Sequence, residues 1–292
     1  MLVIKQLSKT YANGIQALRD ISLDIGYGIF GLLGPNGAGK SSFMRTLATL
    51  QDADSGLIEL DGLNLLKNPQ TARSRLGYLP QDFGVYPNVS AEDLLDQIAV
   101  FKGFTHASQR REIVAQQLQL VNLYEERKQK LGTFSGGMRQ RFGIAQALLG
   151  SPQLVIVDEP TAGLDPVERI RFQNLLAEIS EERVLILSTH IVEDVAELCQ
   201  QMAILNRGQI IRSGSPLFLT ETLRGKVWIA SELEASNKPK DCTIITTRMS
   251  RGKRCVRVLI DSQQSQYFHA VEPDLNDVYF TALLLEPEVI AA

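Results

Sequence analysis

The chain has 292 residues, 44% of them hydrophobic and 22% charged, with a formal net charge of −3. This is the make-up of an ordinary globular protein with room for one large domain and a small one, and its slight acidity argues against nucleic acid as a partner. Cys199, Cys242 and Cys255 are too few and too widely spaced for a disulfide frame or a zinc site, and read as thiols of a reducing compartment. The opening MLVIKQLSKTYANG lacks the apolar core and cleavage site of a signal peptide. No stretch approaches the ~18 apolar residues of a membrane span, so work at a membrane would require docking on a partner that crosses it.

In chain order, short β segments are predicted at Leu2–Leu7, Ala17–Ile25 and Ile29–Leu33, with Asn13-Gly14 as a hairpin-type turn. Gly56–Leu60 and Arg75–Leu79 are two more strands. From Ser90 to about Arg127 the pattern becomes helical, with Leu94, Leu95 and Ile98 on one apolar face and Ile113, Leu118 and Val121 on another. Ser135 opens a further helix carrying Met138, Phe142, Ala145 and Leu149, which Gly150 and Pro152 end. The apolar runs 154–157 and 184–187 suit central parallel strands covered on both faces. Between them lies a helix with Asp165 as N-cap, Pro166 at N1 and Glu168 at N3, and Phe172, Leu175, Leu176 and Ile179 form its buried face. After Ser215-Pro216 the character changes. Residues 227–260 read as short strands with polar turns and 274–285 as a helix, so 219–292 is a small α+β appendage on an α/β sheet protein.

Gly34-Pro35-Asn36-Gly37-Ala38-Gly39-Lys40-Ser41-Ser42 fits the phosphate-binding loop pattern and sits between a predicted strand and a helix, the context that gives the pattern meaning. Glycines let the backbone N–H groups point at phosphate oxygens, Lys40 reaches the β- and γ-phosphates, and Ser41 offers a hydroxyl to Mg²⁺. The run at 154–157 ends in Asp158-Glu159. At the carboxyl end of a parallel strand, Asp158 is placed to hold Mg²⁺ and Glu159 to deprotonate a water aimed at the γ-phosphate. Ser135-Gly136-Gly137-Met138 makes a second helix start suited to an anion. One chain thus carries two phosphate-binding surfaces, only one of them tied to a lysine.

Taken together, these motifs resemble those of an ATP-binding cassette ATPase, the nucleotide-binding subunit of an ABC transporter. The resemblance covers residues 1–215: the loop at 34–42, Gln81 in Tyr78-Leu79-Pro80-Gln81-Asp82, Phe134-Ser135-Gly136-Gly137-Met138, Asp158-Glu159, Ala162-Gly163-Leu164-Asp165, and His190 in Ser188-Thr189-His190. It implies a P-loop NTPase core sheet with an antiparallel β subdomain and a helical subdomain at about 82–150. Residues 1–218 would form the nucleotide-binding domain, followed by the appendage 219–292.

It further implies that Tyr11 stacks on adenine and that Gln81 touches Mg²⁺ or the attacking water and senses the membrane partner. His190 would contact the γ-phosphate, and Asp165 would cross a dimer interface. ATP would lie between residues 34–42 of one subunit and the Ser135-Gly136-Gly137 helix start of a second copy or a homologous subunit. Two departures stand out. Phe134 and Met138 replace the Leu and Gln of the usual Leu-Ser-Gly-Gly-Gln signature, and Met138 cannot make the polar contacts of that Gln.

Other classes fit less well. A chromosome-type ATPase needs a long coiled coil between Lys40 and Ser135, and no sustained heptads occur there. A ribosome-acting tandem ATPase needs two cassettes. The expected setting is therefore the inner face of the cell membrane, peripheral and cytoplasmic, on transmembrane permease subunits. Phe83-Gly84-Val85-Tyr86-Pro87 and the tail Pro273-Asp274-Leu275-Asn276-Asp277-Val278-Tyr279-Phe280 are similar to cassettes of bacterial drug, antibiotic and lipid exporters. Import is the alternative. Arg248, Arg251, Lys253, Arg254 and Arg257 flank a hairpin turn, to be read as a solvated tip or as a patch for anionic headgroups or a partner.

Overall fold

The structure, a computed structural model, describes residues 1–231, 242–250, 252–260 and 268–285. It begins with β1 (Leu2–Thr10), β2 (Gln16–Ile25) and β3 (Gly28–Leu33), then α1 (Lys40–Leu47), β4 (Ser55–Leu60), β5 (Leu63–Asn64), α2 (Pro69–Ser74) and β6 (Leu76–Leu79). A mainly helical stretch follows, with α3 (Ala91–Phe101), α4 (Ala107–Leu120) and α5 (Gly136–Leu148). Then come β7 (Leu154–Asp158), α6 (Pro166–Ser180), β8 (Val184–Thr189), α7 (Val192–Leu198), β9 (Gln201–Asn206), β10 (Gln209–Gly214) and α8 (Pro216–Glu221). The remaining elements are β11 (Val227–Ser231), β12 (Cys242–Ser250), β13 (Lys253–Ile260), β14 (His269–Ala270) and α9 (Leu275–Leu284).

Three sheets result. β2-β1-β4-β5 is antiparallel, with β1 between β2 and β4. The central sheet runs β10-β9-β3-β8-β7-β6, parallel except for β10 at the edge. The third, β12-β13-β11-β14, is antiparallel. The continuous apolar runs of β3, β7 and β8 follow from burial on both faces. Ile29, Leu33, Val155, Val157, Leu185 and Leu187 enter the core shared with the helices. Their neighbours Phe30, Leu32, Leu154, Ile156, Val184 and Ile186 enter a second core with α1 and the β1–β2–β4 sheet.

The helical pattern expected from Ser90 to about Arg127 forms as two helices, with Leu94, Leu95 and Ile98 on α3 and Ile113 and Leu118 on α4. Gly103, at φ 94, closes α3 in a left-handed conformation, and the chain turns back as α4. The Asp165 cap placed from sequence is present, and other helix starts are capped in the same way. Ser90 accepts from Asp93 N at the start of α3, and Asp165 accepts from Val167 N and Glu168 N at the start of α6. Asp274 and Asp277 form a reciprocal capping box on α9.

The helix expected at 274–285 forms. Leu275, Val278, Tyr279 and Ala282 join the large core together with Val192 and Val195 of α7, whereas Ala230, Val256, Val258, Ile260 and Phe268 make a small separate core in the third sheet. The reading of a basic hairpin tip is corrected in part. Arg257 is buried, with its guanidinium paired to the fully buried Asp277 and donating to Glu272 O, and Arg248 pairs with Asp274 at 3.2 Å. These two arginines fasten the β12–β13 hairpin to the start of α9. Lys253 is exposed, and Arg251 lies outside the described residues. Among the described residues no helix is long and apolar enough to cross a membrane.

Candidate nucleotide-binding and hydrolytic site

The central sheet order sets the site. β3, β8, β7 and β6 are consecutive parallel neighbours, and their carboxyl ends lead into the loop at 34–40, His190, Glu159 and Gln81 respectively. Residues far apart in sequence thus meet along one sheet edge, where ligands of open α/β sheets bind. A cleft of about 800 Å³ opens there, and Tyr11, Gly37, Lys40, Gln81, Glu159 and His190 all line it. Pro35, Asn36, Gly39, Ser41 and Ser42 belong to its wall.

Glycine is required in the loop for two different reasons. A Cβ on Gly34 would lie 2.4 Å from Leu205 O, so the loop is pressed onto β9. Gly39 has φ 109, and its Cβ would lie 2.4 Å from Ala17 O. Ala38 is buried, and its carbonyl accepts from Gly208 N at 2.8 Å. The turn Arg207-Gly208 between β9 and β10 therefore clamps the loop from behind, with Arg19 N donating to Gly208 O at 2.8 Å.

Lys40 is only 6% exposed. Its Nζ donates to Gly34 O at 2.6 Å and Pro35 O at 3.3 Å, and lies 3.9 Å from Glu159 Oε1. Burial pushes its pKa down, while the Glu159 and Asp158 carboxylates push it back up. A desolvated ammonium held at a glycine loop is a fitting phosphate anchor. Tyr11 is bolted to α1: its hydroxyl lies 2.9 Å from Ser42 Oγ and donates to Gln51 Oε1 at 3.0 Å, and Gln51 Nε2 donates to Ser42 O at 2.9 Å. The ring is thereby fixed as one wall of the cleft.

Glu159 has φ 49, a left-handed conformation that turns the chain sharply off β7, and its N–H donates to Ser188 O at 2.8 Å. Its Oε2 accepts from Gln81 Nε2 at 3.1 Å and lies 3.2 Å from His190 Nδ1. Asp158 is 5% exposed, and burial above all, with the Glu159 charge beside it, raises its carboxyl pKa. Ser41 and Gln81 line the cleft, while Asp158, buried at the end of β7, does not; the three bring a hydroxyl, an amide oxygen and a carboxylate. That all-oxygen set fits Mg²⁺, which takes few protein ligands and relies on phosphates and water for the rest. Among the described residues no group of three or more His, Cys, Asp or Glu could form a metal cage.

Ser135, Gly136, Gly137, Met138 and Asp165 do not line this cleft. Ser135 caps α5, accepting from Met138 N at 3.2 Å. Phe134 is buried edge-on against Phe142, centroids 6.3 Å apart, and Met138 packs on the large core. The two departures from the usual signature are thus apolar anchors at the foot of the helix. Gly137 is set against α6, where a Cβ would approach Glu168 Oε2 to 2.2 Å. Glu168 pairs with Arg141 of α5 at 3.5 Å and with Arg171 at 2.7 Å. Gln16, Arg19, Arg207 and Gly208 also line the cleft and were not anticipated. The Asn206-Arg207-Gly208 turn was the available signal, but nothing local shows that it folds back onto residues 38 and 39.

A glycine loop on a central strand, a buried lysine, and Gln, Glu and His at the ends of the adjoining strands define an ATP-binding cassette. A family model described as ABC transporter matches residues 18–162. The chain is 34% identical over 240 residues to the linearmycin resistance ATP-binding protein LnrL of Bacillus subtilis (strain 168), covering 82% of this chain and 76% of that one. It is 33% identical over 219 residues to the probable multidrug ABC transporter ATP-binding protein YbhF of Escherichia coli (strain K12), covering 75% of this chain and spanning only 38% of that relative's length. Among solved structures it is similar to the ATP-binding cassette MJ0796, a dimer in a post-hydrolysis state bound to ADP and Pi. The TM-score is 0.66 and the identity 25%, with 74% of this chain and 98% of that one covered. The chain belongs to the ATP-binding proteins of the ABC transporter family.

Proposed function

We propose that the chain is the ATP-hydrolysing subunit of an ABC exporter, acting as a head-to-tail dimer on separate membrane-spanning subunits at the inner face of the cell membrane. The observation that carries this reading is the convergence of Lys40, Gln81, Glu159 and His190 on one cleft, while the second anion-binding helix start at Ser135 stands outside it.

The geometry supports each proposed role. Lys40 presents a buried positive charge to the β- and γ-phosphates. Glu159 accepts a proton from the attacking water. Its Oε2 is steadied by Gln81 and His190, which fixes the carboxylate against rotation. His190, half exposed beyond the end of β8, would contact the γ-phosphate. Ser41, Gln81 and Asp158 would hold Mg²⁺, which would supply positive charge against the negative charge developing on the phosphates. Ser135, Gly136, Gly137 and Met138 of a second subunit would close over the nucleotide, with Asp165 crossing the interface. ATP then makes its full set of contacts only in the closed dimer and shifts the population towards it. The likeness of residues 83–87 and 273–280 to exporter cassettes supports outward transport, as do relatives named for multidrug and linearmycin resistance.

The test is phosphate release by the purified full chain with ATP and Mg²⁺, set beside Glu159→Gln. The wild type should turn over, and the variant should bind ATP and accumulate as a dimer without turnover. Undiminished turnover in the variant would remove Glu159 from the role of base. For direction, a tagged chain recovered from membranes with a permease alone supports export. A substrate-binding lipoprotein in the same complex favours import.

A further inference from the structure

Asp194 is fully buried on α7, four residues beyond His190. Its Oδ2 accepts from Thr161 Oγ1 at 2.5 Å. Its Oδ1 accepts from Arg169 Nε at 3.0 Å and Gln173 Nε2 at 2.9 Å, with Arg169 Nη2 at 2.8 Å. Thr161, itself buried, lies two residues beyond Glu159 in the turn off β7. Segments 158–161 and 188–194 are therefore joined by three rungs: Glu159 N to Ser188 O at 2.8 Å, Glu159 Oε2 beside His190 Nδ1 at 3.2 Å, and Thr161 to Asp194. The first two rungs hold the reacting groups, and the third lies behind them. Arg169 and Gln173 come from α6, the helix that Asp165 caps.

We propose that Asp194 is a positioning residue for hydrolysis, holding the Glu159 turn, the His190 loop and the Asp165 helix in fixed relation. This rests on the ATPase reading of the site. Glu159 leaves β7 in a left-handed conformation, so the direction of its side chain depends on where the following turn is tied. Thr161 ties it, and Asp194 is the post. The two oxygens of Asp194 divide the work. Oδ1 pins α7 to α6, which packing alone could require. Among the described residues Oδ2 accepts from the Thr161 hydroxyl alone, which the α6–α7 contact does not need. A chain that used Asp194 only to join helices would have no use for that bond.

Thr161→Val removes the Oδ2 bond and leaves Oδ1 and its three N–H contacts in place. In the full chain, kcat for ATP should fall at least ~10-fold, since misplacement by about 1 Å can cost about 10²-fold. KM and equilibrium ATP affinity should stay within about twofold, and Thr161→Ser should restore kcat. Asp194→Asn should lower kcat similarly, and the double variant should be no worse than the worse single. Amide hydrogen exchange without nucleotide reads the same device independently of turnover. Thr161→Val should speed exchange in 159–162 and 188–191 and leave the rest of α6 and α7 unchanged. An unchanged kcat in Thr161→Val, or exchange that rises evenly along α6 and α7, overturns the proposal. A wild type without turnover would sink the ATPase reading instead, and the exchange pattern would still decide the role of Asp194.

Discussion

Gln81 and Glu159 are 78 residues apart in sequence, yet Gln81 Nε2 donates to Glu159 Oε2 at 3.1 Å. The bond joins the carboxyl ends of β6 and β7, and it places the residue expected to sense a membrane partner directly on the expected base. Gln81→Ala should therefore lower kcat by freeing the carboxylate, and by less than Glu159→Gln, for which loss of a general base costs about 10²–10⁴-fold. Phosphate release by the two variants, measured side by side, checks the order. An equal loss in both would mean that the Mg²⁺ contact proposed for Gln81 outweighs its hold on Glu159.

The Asp158 carboxyl is raised above its ordinary value, chiefly by burial. A raised acid binds its proton more tightly in the folded than in the unfolded state. Its stabilising effect is thus fully present below the ordinary carboxyl pKa and is lost as pH rises through the folded value. At neutral pH the buried charge is a burden on the fold without nucleotide. Asp158→Asn should melt higher than wild type at pH 7, and the gap should close below about pH 4. The same variant should lose Mg²⁺-dependent turnover. Thermal scans across pH, without nucleotide or metal, test the sign.

Gly137→Ala sets a methyl against Glu168, whose oxygen would be 2.2 Å away. Glu168 must swing aside and loosen its pairs with Arg141 and Arg171. Overpacking of this kind costs about 1–3 kcal/mol, and it tilts the amides at the start of α5. Urea midpoints should drop, and ATP-driven dimerisation of a Glu159→Gln background should weaken. Adding Glu168→Ala should recover part of both. No recovery would place the defect in the backbone of α5 itself.

Asp277 is fully buried and Arg257 nearly so, and their pairing holds the third sheet to α9. Removing one member of a buried pair strands the other and costs about 3–5 kcal/mol, whereas an apolar replacement of both can be close to neutral. Asp277→Leu alone should be more destabilising than Asp277→Leu with Arg257→Met. Chemical denaturation of the three proteins measures the difference.

Legibility in the sequence tracked how local the physics was. Strands β3, β6, β7 and β8 of the central sheet, the loop at 34–42 and the Asp165 cap could be read because each depends on neighbours in sequence: an apolar run, a glycine spacing, a carboxylate before Pro166. The two apolar faces of the helical stretch after Ser90 were legible, but not the place of the break between α3 and α4, which lies at Gly103. β9, β10 and their Arg207-Gly208 turn were missed as part of the site. Their tie to Ala38 crosses 170 residues and rests on a backbone bond that no side chain announces. The basic cluster at 248–257 looked like a surface feature because nothing near Arg257 in sequence reveals that Asp277 lies against it.

The place of α9 has a consequence for synthesis. Leu275, Val278, Tyr279 and Ala282 share a core with Val155 and Leu187 of the central sheet. Once the Arg207-Gly208 turn after β9 has been made, the growing chain holds every parallel strand of the central sheet and every residue lining the cleft. It still lacks this patch of the core's cover. At the ~5–20 residues per second of translation, roughly 3–14 s separate Asn206 from Leu275. During that interval Val192 and Val195 of α7 lack the side chains that finally cover them. The nascent chain therefore passes through a state with an assembled nucleotide cleft and an open apolar flank. That is the stage at which a chaperone or an early misassociation would act on it.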